Sequence, residues 1–204
     1  DKGLFTHEPT MQEHLQQMRA LLSIAGPIQD VEWQAFSAIW TTFTAKRKEV
    51  ISRAGEPEKY LYFVLEGVQR VYYLDTEGHE ATIVFMYPPS FGGVLDSFML
   101  QQPSKYYFET LTPSLFLRAP FSQFDQVVKS YPSLQAHILK GVAQTLSGVL
   151  ERLAELQSFS SEEKFKKLLS RSPHILQLVP HRYIANYIGI DASNFSKLIN
   201  RIKI

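Results

Sequence analysis

Hydroxyl, amide and basic side chains recur near the C-terminus, on one side of a predicted helix within the stretch IDASNFSKLINRI. None of the outward residues is acidic, and their lengths suit hydrogen bonds to base edges and phosphates. The pattern therefore indicates noncovalent recognition of a nucleic acid rather than catalysis. The residues that we predict on this face are Ala192, Ser193, Asn194, Ser196, Lys197, Asn200 and Arg201.

The residues before this face have the spacing of a helix-turn-helix. Ala185 is small enough to let a second helix approach the first, and Gly189 can adopt the positive φ of the turn. Asp191 is predicted to cap the second helix, over Ala192–Lys203. A plain helical hairpin with a solvated face is the alternative. The joint match of the glycine, the small residue and the apolar positions favours the helix-turn-helix.

Charge is distributed unevenly along the chain, although the net charge is only +1. Residues 160–204 hold eight Lys and Arg but three acids, and the rest of the chain is acidic. A basic segment on an acidic body predicts a polyanionic partner such as double-stranded DNA, but a solvated surface would show the same charges.

Several kinds of chemistry have no support in the sequence. The absence of Cys excludes disulfides and thiolate metal sites, and it fits a reducing, cytoplasmic location. No apolar run is long enough for a membrane span, and there is no secretory signal. The six His residues form no metal-binding pair, and no phosphate loop or nucleophile motif has a credible context. We therefore predict no membrane association, no metal and no enzymatic activity.

Hydrophobic periodicity divides the chain into four regions. Residues 10–40 read as two helices, capped by Thr10 and Asp30. Residues 41–119 are rich in β-branched and aromatic residues with regularly spaced glycines, which is typical of an antiparallel sandwich or barrel. A long helix follows, and Ser160 with Glu163 forms a capping box that starts the last region.

The long helix carries a heptad-like apolar seam, which we predict to join two copies of the chain. The alternative is one amphipathic helix that lies on its own β-domain. The seam consists of Leu139, Val142, Leu146, Val149, Leu153 and Leu156.

This order of parts resembles the Crp/Fnr transcription regulators, most closely the short members common in the Bacteroidetes. YLYFVLEGVQRVYYLDTEGHEATIVFMYPPSFGG is similar to the family's β-roll, and YIANYIGIDASNFSKLINRI to its helix-turn-helix. The resemblance implies an α+β fold. N-terminal helices and an antiparallel β-roll of the jelly-roll, cyclic-nucleotide-binding-like type take residues 1–130. A dimerisation helix takes 131–159, and an all-α helix-turn-helix domain takes 160–204.

The resemblance also implies a homodimer that binds double-stranded DNA and contacts RNA polymerase. By position, Ala192, Ser193 and Lys197 stand where family members read bases. Ala192 and Ser193 replace longer charged side chains, so we expect a different target sequence from that of the cyclic-AMP receptor. The family's β-hairpin wing is missing after the recognition helix, so either this branch lacks it or the sequence is incomplete.

The family's phosphate-binding cassette is degenerate in this sequence. Gly93 stands where a ribose-binding Glu is expected, and Ser104 stands about where an Arg is expected. Lys105 follows Ser104 directly, but its ammonium group is a point charge and cannot bind a phosphate in the bidentate way that an arginine does. We therefore expect a small-molecule effector, if one exists, other than a cyclic nucleotide. The predicted pocket comprises Phe91, Gly92, Gly93, Val94, Leu95, Ser104, Lys105 and Tyr106.

Two hypotheses for the function result. The first is a DNA-binding transcription regulator with a ligand-sensing β-roll. The alternative is a cupin-like small-molecule-binding or catalytic module whose C-terminal helices are only structural. DNA binding should weaken steeply with salt because phosphate contacts release counterions, whereas a cupin enzyme should carry metal and show no such slope.

Overall fold

The N-terminal region forms two helices in a computed structural model that describes residues 8–202. Helix α1 (Met11–Ser23) starts with a capping box, in which Thr10 Oγ1 accepts from the Glu13 N–H and Glu13 accepts from the Thr10 N–H. Helix α2 spans Asp30–Ser37, and the prediction that Asp30 caps it is wrong because Gln29 is the N-cap. Asp30 instead pairs with Arg19 of α1 at 2.6 Å, and its negative charge still suits the first turn of the helix.

Two four-stranded antiparallel sheets follow and confirm the predicted β-roll. One sheet has the order β1-β8-β3-β6 and the other the order β2-β7-β4-β5, so β5 is an edge strand. A short helix, α3 (Leu95–Leu100), connects β6 to β7. The strands are β1 (Thr41–Ala45), β2 (Val50–Ser52), β3 (Tyr60–Glu66), β4 (Gln69–Leu74), β5 (Glu80–Met86), β6 (Ser90–Gly92), β7 (Tyr107–Thr110) and β8 (Ser114–Pro120).

Aromatic side chains fill the space between the two sheets. The Tyr62 ring centroid lies 5.3 Å from that of Phe108 and 5.4 Å from that of Phe116, and all three residues are buried. Such rings pack closely and contribute beyond the area that they bury. The middle of the roll is therefore a packed core, and any ligand space lies towards its ends.

Two helices lead out of the roll. Helix α4 (Phe121–Ser130) is followed by α5 (Pro132–Ser158), whose 27 residues make it about 40 Å long at 1.5 Å per residue. Pro132 takes the first turn, where its missing N–H costs nothing. Leu134 is buried against the N-terminal helices and α4, so α5 is anchored at its start, and Arg152 near its end contacts β5 and Tyr187.

The C-terminal region is entirely helical within the described residues. It comprises α6 (Ser161–Arg171), α7 (Ile175–Leu178), α8 (His181–Ile188) and α9 (Ala192–Arg201). The capping box of Ser160 and Glu163 forms as predicted. Phe165 and Phe195 meet edge to face at 5.3 Å in a core that also includes Phe85 of the roll, so the region is packed onto the β-roll. None of the helices within residues 8–202 is long and apolar enough to cross a membrane.

Candidate functional site

The α8–α9 turn has the local geometry that the sequence predicts. Gly189 has φ +73°, and Asp191 Oδ1 accepts from the Asn194 N–H at 2.8 Å to cap α9. That hydrogen bond is the main reason that the pKa of Asp191 lies below its ordinary value. Ala185 is buried at the crossing of the two helices. Helix α9 ends at Arg201, before the predicted end at Lys203, which lies outside the described residues.

Replacing Gly189 with valine should destabilise the C-terminal region by about 1–3 kcal/mol, because a β-branched residue resists a positive φ. Urea unfolding followed by far-UV circular dichroism measures the loss. Gly148→Val is the matched control, because Gly148 lies in α5 with open space around it. Equal stability of the two variants would contradict the assigned turn.

The predicted DNA-binding residues all lie exposed on α9. Four of them already have partners within the chain. Ser193 and Asn194 donate to Asp191, Ser196 donates to the Ala192 carbonyl at 3.0 Å, and Arg201 pairs with Glu162 at 2.7 Å. Lys197 and Asn200 have no side-chain hydrogen bond or ion pair within residues 8–202. These two are the candidates most available to an incoming ligand.

The predicted seam on α5 is largely exposed in the single chain. The exposed fractions are 71% for Leu139, 56% for Leu146 and Val149, and 49% for Leu153, while Val142 and Leu156 are partly buried. Leu150, which we did not predict, adds a side chain that is 55% exposed. An apolar stripe of this length on a helix surface is typical of an interaction site.

A buried carboxylate that we did not predict faces the degenerate cassette. Glu58 is 3% exposed, and its Oε2 accepts from the Val94 N–H at 3.2 Å and from the Ser52 hydroxyl at 2.6 Å. Burial raises the pKa of Glu58, and these hydrogen bonds oppose that rise. The carboxylate already occupies the N–H that opens α3 and would repel a phosphate placed there. The segment before β3 offers no sequence signal for this contact, because Val94 is 36 residues away.

The other predicted pocket residues are mostly engaged in their own structure. Ser104 is buried, and its hydroxyl donates to the Tyr106 carbonyl at 2.8 Å and accepts from the Tyr106 N–H. Phe91 packs against Phe63 and Lys105 is exposed. Gly92 and Val94 are buried, Leu95 packs on the core with Phe91, and Gly93 has φ +99°. Ligand binding by this set stays a prediction.

The first helix of the helix-turn-helix is docked on the edge of the β-roll. The Asn186 side chain accepts from the Thr82 N–H at 2.6 Å and donates to the Glu80 carbonyl at 2.7 Å, as a neighbouring strand would. Arg152 of α5 donates to the carbonyls of Thr82, Ile83 and Tyr187. We call these interactions the β5–α8 contact. It joins the roll, the long helix and the C-terminal region.

A charge cluster around the buried Arg70 extends the β5–α8 contact. Arg70 pairs with Glu109 at 2.9 Å and with Glu80 at 2.7 Å, and its guanidinium lies 4.3 Å from the ring centroid of Tyr183 on α8. Lys48 lies 4.2 Å from the same ring and hydrogen-bonds to its hydroxyl. Burial lowers the pKa of Arg70, but the hydrogen bonds that it donates to these carboxylates outweigh this effect and raise it. Cations of the roll thus hold one aromatic ring of α8.

The described residues contain one group with metal-ligating spacing, formed by Asp75, Glu77 and His79 in the β4–β5 turn. Asp75 Oδ1 accepts from the backbone N–H groups of Glu77 and His79, each at 2.8 Å, and this explains the cluster as turn geometry. The group lies outside the roll, so its position does not match a cupin centre.

The β-roll is followed along the chain by the long helix and then by the helix-turn-helix. Residues 42–131 match the cyclic nucleotide-binding domain. The chain is 26% identical over 172 residues to the global nitrogen regulator of Synechocystis, covering 78% of this chain and 76% of that protein.

Two solved structures have the same fold. FixK2 from Bradyrhizobium japonicum matches with a TM-score of 0.73 and 18% identity, over 80% of this chain and 84% of that chain. A structure described as a regulator of the Crp/Fnr family from Eubacterium rectale matches with a TM-score of 0.66 and 17% identity. The match covers 85% of this chain and 82% of that chain. These similarities support a transcription regulator of the Crp/Fnr type. The family prediction is confirmed, and the cupin-like alternative is not favoured.

Proposed function

We propose that the chain acts as a homodimer that reads double-stranded DNA through the outward face of α9. The observation that carries the proposal is the exposed, acid-free face of a capped helix, on which Lys197 and Asn200 have no partner within residues 8–202. Residues 160–204 would form the DNA-binding domain, 131–159 the dimerisation helix and 1–130 the effector domain. In this proposal the protein acts in the cytoplasm. It also contacts RNA polymerase.

The apolar stripe on α5 supports the dimer. A single recognition helix contacts only a few base pairs, and two of them about 34 Å apart reach successive major grooves. Pairing two copies of α5 would cover Leu139, Leu146 and Leu153, which are exposed in one chain. It would also place two copies of α9 in a fixed relation, as a palindromic operator requires.

The β5–α8 contact supports a route for the signal. Asn186, Arg152 and Tyr183 each link the helix-turn-helix or α5 to the roll. A ligand that favours one arrangement of the roll would therefore shift the population of α8 and α9 positions. Because Glu58 occupies the N–H that opens α3, we propose an effector other than a cyclic nucleotide.

Selection of random duplex DNA by the purified protein tests the reading surface. We expect a palindromic consensus, and we expect Lys197→Ala to weaken binding by about 1–3 kcal/mol and to relax one position if Lys197 contacts a base. Lys46→Ala is the matched control, because it removes the same charge from an exposed site on the roll. Equal weakening by both variants would contradict a role for α9.

The salt dependence of the same binding separates base contacts from phosphate contacts. If Lys197 contacts a phosphate, all sequences should weaken together and the slope of log K against log salt should fall by about one. The absence of enrichment at low salt, for the wild-type protein and both variants, would count against the proposal.

A further inference from the structure

A cation at one end of the roll has aromatic neighbours but no acidic partner. Arg118 on β8 is half-buried, and its guanidinium carbon lies 4.1 Å from the ring centroid of Phe43 and 4.2 Å from that of Tyr60. The two rings hold the side chain in place through cation–π contacts. Because the rings take up guanidinium surface, the N–H edge is the part left for hydrogen bonding.

The hydrogen bonds of Arg118 within the chain are few. Its guanidinium favours the ionised form of the nearby Tyr62 hydroxyl, and no carboxylate lies within ion-pair distance of it among residues 8–202. A guanidinium has five N–H donors, so most of them lack a protein acceptor there. Glu58 lies in the same region but cannot serve, because its oxygens accept from Ser52 and from the backbone N–H groups of residues 59, 60 and 94.

Arg118 lines a cleft of about 180 Å³. A cleft of this size holds several water molecules, so it suits a small metabolite. Its walls are apolar at Phe43 and Ile51, and aromatic at Tyr60 and Tyr62. No residue of the predicted cassette is among those that line it.

The other charges of the cleft limit the charge of the ligand. Arg53 and Lys59 add two exposed cations to Arg118, and Glu49, Glu56 and Glu58 supply three acids. These acids would repel a multiply charged phosphate. A ligand with a single carboxylate suits this balance of three cations and three acids. Its carboxylate and the guanidinium are both planar and match in hydrogen-bond geometry.

We propose that this cleft is an effector site for a small, flat monocarboxylate, whose carboxylate binds the N–H edge of Arg118 and whose apolar body lies against the aromatic walls. The assignment of the ligand as an effector rests on the regulatory function proposed above. The binding itself does not, and the two are tested separately.

Calorimetric titration of the full chain with benzoate tests the site, with benzamide as the uncharged probe of the same shape. We expect benzoate to bind and benzamide to bind at least tenfold more weakly. Inorganic phosphate should bind more weakly than benzoate. Failure of benzoate to bind, or equal affinity for benzoate and benzamide, would overturn the proposal.

Arg118→Lys keeps the charge and removes the fork, and Arg118→Met removes both. We expect at least a tenfold loss of benzoate affinity in each, whereas Arg53→Met, which removes an exposed cation from the same cleft, should lose less than threefold. An equal loss in Arg53→Met would mean that general charge attracts benzoate. If Arg118→Met does not fold, Arg118→Lys and the benzamide comparison still test whether the Arg118 fork binds the carboxylate.

Operator binding with and without benzoate separates this proposal from the regulatory one. Benzoate binding at Arg118 with no change in operator affinity would confirm the ligand site and reject its effector role. Operator binding by a wild-type protein that does not bind benzoate would reject the ligand site and leave the regulator proposal standing.

Discussion

Leu146→Asp is expected to convert the proposed dimer into monomers. Burying a leucine contributes about 1.5–3 kcal/mol, and a symmetric interface loses it twice while placing two carboxylates opposite each other. The dimer dissociation constant should therefore rise on the order of 100-fold or more. Sedimentation velocity across a concentration series measures the change, and operator affinity should fall with it because each copy of α9 then binds alone.

Gln144→Asp is the control for this change. Gln144 is exposed on the opposite side of α5 from the seam, so the variant adds the same charge without touching the proposed interface. We expect it to remain dimeric. A dimeric Leu146→Asp protein would exclude this helix as the interface. A monomeric Gln144→Asp protein would show that added charge on α5 dissociates the dimer even outside the seam.

Arg152→Met is expected to uncouple the C-terminal region from the roll. Arg152 holds three carbonyl groups, two on β5 and that of Tyr187, and hydrogen bonds to a charged group contribute about 1.5–3 kcal/mol each. Burial lowers the pKa of Arg152, and neutral methionine would leave the three carbonyls without this donor. The loss in unfolding free energy should be about 3 kcal/mol or more, and it should fall first on the C-terminal helices.

The two tryptophans make that separation measurable. Trp33 and Trp40 both lie in the core that the N-terminal helices share with the roll, whereas circular dichroism also reports α6 to α9. In the wild-type protein the two signals should change together during denaturation. In Arg152→Met the circular dichroism should change first. Lys129→Met, which loses an exposed cation from α4, should behave as the wild type. Coincident transitions in Arg152→Met would mean that the β5–α8 contact does not couple the domains.

Local features of the fold could be predicted from the sequence because their partners are near in the chain. Thr10 and Ser160 cap helices through residues three positions away, and Gly189 takes a φ that no other residue adopts as easily. The Asp30 prediction failed because the N-cap is the last residue with non-helical φ and ψ before the helix begins. Gln29 is that residue, and Asp30 in the first turn pairs with Arg19.

The residues that join distant segments could not be predicted in the same way. Glu58 reaches Val94, Arg152 reaches β5 about 70 residues earlier, and Asn186 reaches Thr82 across 104 residues. Each is a polar side chain in an ordinary-looking position, and its role follows only from tertiary packing. The outward face of α9 was predictable because helical periodicity alone decides which side is apolar.

The Asn186 amide also protects the roll from other chains. Strand β5 ends its sheet, and an unpaired strand edge offers N–H and carbonyl groups to any extended peptide that meets it. Asn186 and Arg152 occupy these groups at Glu80, Thr82 and Ile83. Any movement that lifts α8 from the roll would therefore uncover a strand edge able to pair between molecules, and aggregation would accompany the freed state unless another group covered it.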